Sequence, residues 1–221
     1  MTFSVKLLSK GITREKQHLP QQALAITVDM LLDINRVINH DDPKQYTIWC
    51  LFLFALFLMA HKSNLVPDSK MSFDKEKQLT INKVILEGNI AIVIFNWSKT
   101  IQIGNRILKI PFENTKSALC PLRAYINMCK LIPAVGDSPT FLFLSKHKLF
   151  PVTYTDFQQY IKEFISKIGR NPRQFSTYSF RRGGATFAFE SKVPAELIQV
   201  RGDWASDAYK IFNFLYPKKS L

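Results

Sequence analysis

The sequence predicts a mixed α/β domain that is mostly α-helical, with a small antiparallel sheet of about three strands at one edge. Three features carry this expectation. The run Ile48 to Ala60 is apolar at every position, which predicts a helix buried on nearly all sides. It is also shorter than the roughly 18 residues of a membrane span. Two segments rich in β-branched and aromatic residues, Leu79–Leu86 and Ile90–Trp97, flank Glu87-Gly88-Asn89 and read as a hairpin. Apolar residues recur at helical spacing on either side of these segments. The 221 residues suit one sizeable domain.

Taken in order, residues 1 to about 20 form a basic, polar linker, and 21–221 form the domain. Ile26, Met30, Leu31, Ile34, Val37 and Ile38 line one face of a helix from Ala25 to Asn39, with Thr27 as its cap. Asp41, Asp42 and Pro43 break it, and the buried helix follows from about Gln45 to His61. Ser98 to Asn105 is a polar turn containing Lys99. Arg106 to Phe112 alternates and reads as a third strand, stopped by Pro111. Pro121 to Leu131 is a helix with proline in its first turn. Phe141 to Leu144 is a short apolar run before a basic loop (Lys146, His147, Lys148), and Thr155 to Ile168 is an amphipathic helix. Ser176 or Thr177 then caps a helix opened by Arg181 and Arg182, in which Gly183, Gly184 and Ala185 let another element come close. A Gly202-Asp203-Trp204 turn leads into a last short helix rich in tyrosine and phenylalanine.

The net charge of +13 and pI near 9.7 imply a polyanionic partner, nucleic acid first and an anionic membrane surface second. The charge is spread along the chain, so the basic surface belongs to the fold. Cys50, Cys120 and Cys129 form no C-x-x-C pair and read as reduced core residues of an intracellular protein. The four histidines have no ligand spacing, so no metal site is expected.

The most specific stretches are Y-S-F-R-R-G-G-A-T from Tyr178, P-A-E-L-I-Q-V-R-G-D-W from Pro194 and S-D-A-Y from Ser206. Together they resemble the catalytic domain of the tyrosine recombinase (phage integrase) family, in particular its eukaryotic mobile-element branch, where tryptophan takes the place of the second histidine. The resemblance implies an integrase-type catalytic core that breaks and rejoins double-stranded DNA. It implies no cofactor, no metal, no small-molecule substrate and no membrane. It also implies a homo-oligomer on DNA, a nuclear or otherwise intracellular location, and residues 1–20 as a linker or the remnant of a lost N-terminal DNA-binding domain.

The chemistry of that family explains the pattern sought. A tyrosine hydroxyl keeps the phosphate as a covalent ester, and forked guanidinium donors clamp the charge that gathers on its oxygens. A lysine protonates the departing oxygen. By resemblance, Arg181 is the arginine of the His-x-x-Arg box, Trp204 stands at the His/Trp position, and Lys99 lies where the family has its hairpin lysine. Three positions depart. His61 stands at the first arginine, Tyr178 at the box histidine, and Phe212, eight residues after Trp204, at the nucleophile. Phenylalanine has no hydroxyl, so the resemblance implies DNA binding with impaired cleavage. Arg173, Arg182, Lys62 and Arg106 would contact DNA phosphates. The alternatives are an active recombinase that uses Tyr209 or Tyr216 as nucleophile, and a non-enzymatic basic interaction module.

Overall fold

The computed structural model describes residues 23–97 and 107–210. The 1–20 linker, Lys99, Arg106, Phe212 and Tyr216 lie outside the described residues.

Helix α1 (Val28–Val37) is capped as the sequence indicates, with the Thr27 hydroxyl accepting the Met30 N–H at 3.2 Å. It starts three residues later than expected because the chain before it is extended. There Leu24 N–H donates to the Gln174 carbonyl at 2.8 Å and Ile26 N–H to the Ser179 carbonyl at 3.0 Å. Asp42 does more than end this region. Its carboxylate accepts the Lys44 and Gln45 N–H groups and so starts helix α2 (Pro43–Leu58), with Pro43 in the first turn.

From Thr47 to Leu58 nearly every side chain of α2 is buried, so this helix has no solvent face and acts as the axis of the molecule. Phe52 packs against Phe180 (ring centres 4.9 Å apart), Phe157 and Phe164, while Phe54 packs against Phe112 (5.2 Å), Phe141 and Tyr125. Each such buried ring contributes roughly 1.5–3 kcal/mol over an exposed one. The helix stops where Met59 turns left-handed (φ 51°). A four-residue helix, α3 (Lys62–Leu65), follows.

Strands β1 (Val84–Glu87), β2 (Ile90–Phe95) and β3 (Leu108–Glu113) form the expected three-stranded antiparallel sheet in the order β1-β2-β3. Glu87 pairs with Ile90, so the hairpin loop is Gly88-Asn89, and Gly88 supplies the positive φ (59°) that such a turn requires. The first strand is shorter than expected, since Ile81–Lys83 is a 3₁₀ turn. Pro111 does not stop β3 but lies inside it, opposite Ile92. At an edge strand a missing N–H is tolerated.

Helix α4 (Pro121–Leu131) has the expected bounds. An unexpected second hairpin follows, β4 (Leu142–Ser145) and β5 (Lys148–Pro151), closed at the Ser145–Lys148 pair by Lys146 and His147. Helix α5 (Tyr154–Lys167) opens with a capping box between Thr153 and Asp156.

Helix α6 (Tyr178–Glu190) starts three residues before Arg181, earlier than the sequence suggests. Thr177 takes the cap position without a side-chain bond, and Ser179 Oγ instead accepts the Ser176 N–H at 3.0 Å. The close approach expected at Gly183 and Gly184 is real. A Cβ at Gly183 would fall on the Ile26 carbonyl oxygen, and one at Gly184 on that of Leu56. Helix α7 (Ala195–Arg201) and a 3₁₀ turn (Asp207–Lys210) complete the described chain. Cys50 and Cys120 are buried free thiols and Cys129 is half-buried. No described helix is long and apolar enough to cross a membrane.

Candidate functional site

The glycine contacts seat α6 against the end of α2, and this seating fixes Arg181. Its side chain is only 3% exposed, and Nη1 donates to the Met59 carbonyl that the left-handed turn presents. The guanidinium lies over Trp204, with Cζ 4.0 Å from the ring centre. Among the described residues its Nε has no hydrogen-bond partner. Burial pushes its pKa down to about 10, and the side chains of Tyr178 and Asp203 oppose that drop. The group stays cationic at neutral pH.

His61 caps the start of α3 and shares a small cavity with Arg181, Asn64, Arg201 and Asp203. Lys62 points elsewhere. Its ammonium sits 3.8 Å above the Tyr154 ring and pairs with Asp68. Tyr178 is 44% exposed at the first turn of α6. It opens onto a second cleft of about 690 Å³ lined by Lys162, Arg173, Gln174 and Ser176. The exposed Arg173 is thus available to a polyanion.

Two residues expected to act on DNA have their side chains turned inward. Arg182, read as a phosphate contact, is 4% exposed and donates from Nη1 to the Ala23 carbonyl, tying the extended chain before α1 to α6. Tyr209, read as a fallback nucleophile, is 2% exposed, with its ring parallel to Phe189 (6.1 Å) and its hydroxyl donating to Gln199 Oε1 at 3.5 Å. Both serve packing in this arrangement.

The reading of the sequence passed over Arg201, Asn64 and Asp203. Arg201 donates from Nε to the Phe57 carbonyl at 2.7 Å and from Nη2 to the Pro111 carbonyl at 3.4 Å, fastening α7 to α2 and β3. Its three-residue spacing from the buried Ile198 was the available signal. Asn64 donates to the Trp97 carbonyl at 2.7 Å, joining α3 to the chain after β2. Among the described residues no group of His, Cys, Asp and Glu side chains could hold a metal ion.

No protein-family model matches the chain, and no curated protein matches it. Solved structures do. The XerH site-specific recombinase in a post-cleavage complex with palindromic difH substrate superposes at a TM-score of 0.62 with 14% identity, covering 87% of this chain and 50% of that one. XerA recombinase (0.59, 13%) covers 92% of this chain and 61% of that one. The Tn1549 transposon integrase in complex with a circular intermediate DNA (0.59, 14%) covers 90% and 62%. The chain therefore spans about half to three-fifths of the length of these proteins. The fold is that of the tyrosine recombinase catalytic domain.

Proposed function

We propose that this chain is a tyrosine recombinase domain of the eukaryotic mobile-element type that binds double-stranded DNA at the Arg181–Trp204 face and is impaired in strand cleavage. The observation that carries this reading is Arg181 itself. A guanidinium is expensive to bury, and this one keeps a buried donor with no partner among the described residues. It lies over Trp204 and shares a cavity with His61, an arrangement suited to gripping a phosphate oxygen. The structural neighbours include recombinases and integrases bound to DNA, which supports the same partner for this chain.

The impairment rests on the side chains at the reacting positions. His61 lacks the fork of an arginine, Tyr178 lacks an imidazole, and Phe212 cannot form the ester. Groups that act together in phosphoryl transfer lose activity far out of proportion when several are missing. Against Tyr209 as a substitute stands its burial against Phe189 and Trp204. A nuclear location and assembly as a homo-oligomer on DNA belong to the same proposal. The test is to incubate the chain with nicked duplexes and resolve the products under denaturing conditions, alongside a binding titration. The proposal expects salt-sensitive binding without a covalent adduct. Binding that ignores salt, or an adduct, would overturn it.

A further inference from the structure

We infer that the β4–β5 hairpin is a second DNA-backbone contact, a cationic arm that adds phosphate contacts to those proposed at Arg181. This rests on the proposed DNA partner and adds residues that the family resemblance did not supply. The first observation is backbone strain. Lys146 (φ 48°) and His147 (φ 62°) both adopt the left-handed conformation in the two-residue turn that closes the hairpin. That turn strongly prefers Asn-Gly, because other residues there bring Cβ close to the following carbonyl oxygen. Strained residues held at an exposed tip point to a role other than stability.

The second observation is charge. Lys146, His147 and Lys148 are all exposed, and the segment Ser138 to Thr155 contains no acidic residue. Lys70 joins them from the loop after α3, its ammonium 4.5 Å from the Phe150 ring centre and 5.5 Å from that of Phe143. Lys44 lies over Phe143 at 4.3 Å. Rings that seat ammonium groups hold them in place, so less side-chain freedom is lost when a phosphate arrives. The nearby carboxylates are engaged, Asp68 with Lys62 and Asp156 within the capping box.

The third observation is grouping. Lys44 from α2 and Lys70 from the loop after α3 both lie over Phe143, so cations from three parts of the chain collect on one hairpin. Since the rings are covered by lysines or buried, the contact reads phosphates and not bases.

The experiment measures affinity for a labelled duplex of arbitrary sequence against salt concentration, using the full chain. The double variant Lys146→Asn/His147→Gly relaxes the turn and is expected to melt about 2–4 °C higher than the parent chain, which shows that it folds. The expected loss is about 1 from the slope of log affinity against log salt. Lys70→Ala/Lys148→Ala leaves the turn intact and is expected to lower the slope by about 2. A parent chain that shows no salt-dependent binding would sink the DNA reading and this inference together. Parent-like slopes in both variants would overturn the inference alone. The exposed Leu144 and Leu149 on the same hairpin make a lipid surface the competing partner. Loss of phosphatidylserine-vesicle binding in these variants, with unchanged DNA slopes, would reassign the arm to a membrane.

Discussion

Replacing Arg181 with methionine should leave stability nearly unchanged while removing a phosphate contact. At about 1.4 kcal/mol for each tenfold change in proton affinity, the fall from the ordinary arginine range to about 10 corresponds to roughly 3 kcal/mol lost in burying the charge. Because the folded-state pKa is lowered, this cost is fully present at neutral pH and shrinks only as pH rises past about 10. Against it stand the bond to the Met59 carbonyl, about 1.5–3 kcal/mol for a charged donor, and the stacking on Trp204, about 2 kcal/mol when desolvated. These terms nearly cancel, and methionine fills a similar volume without a charge to bury. Urea unfolding should therefore place Arg181→Met within about 1 kcal/mol of the parent chain, while its DNA-binding salt slope falls by about 1. Destabilisation beyond about 3 kcal/mol with an unchanged slope would refute this, since it would make Arg181 a structural strut of the kind that costs most when one partner is removed.

Two further outcomes follow from the packing around α2. Gly184→Ala gains about 1 kcal/mol of helix propensity, yet its methyl would fall on the Leu56 carbonyl oxygen. It should push α6 off α2 and lower stability by a net 2 kcal/mol or so, about 4–8 °C in thermal melting. A variant as stable as the parent would show that the helices are not in close contact. The Cys50 thiol is pushed well above its usual range, first by burial and then by neighbouring Cys129. An aromatic disulfide reagent should leave it unmodified at neutral pH in the native protein and react with it only on unfolding; fast native labelling of Cys50 would contradict its burial.

Much of the fold was legible because the signals were local. The apolar run of α2 admits only a buried helix, Thr27 and Pro121 mark helix starts by their own chemistry, and Gly88 announces its turn. The β4–β5 hairpin was hidden because its turn uses Lys146 and His147, residues that carry no turn signature. Pro111 misled because a sequence does not say which strand lies at the edge. At the site, the close contact of α6 followed from its two glycines. The inward turn of Arg182 did not, because its partner is the carbonyl of Ala23, 159 residues away in the chain. Arg201 was missed for the same reason, since its partners lie on α2 and β3. Long-range carbonyl partners leave no mark near the residues they satisfy.

The central claim is that the site keeps its phosphate grip and has lost its chemistry. It is tested most directly by comparing the parent chain with the triple variant His61→Arg, Tyr178→His, Phe212→Tyr on nicked duplexes, scored for a denaturant-resistant protein–DNA adduct. The account predicts an adduct from the triple variant alone, attached through residue 212. An adduct from the parent chain, mapped by peptide analysis to Tyr209 or Tyr216, would contradict it.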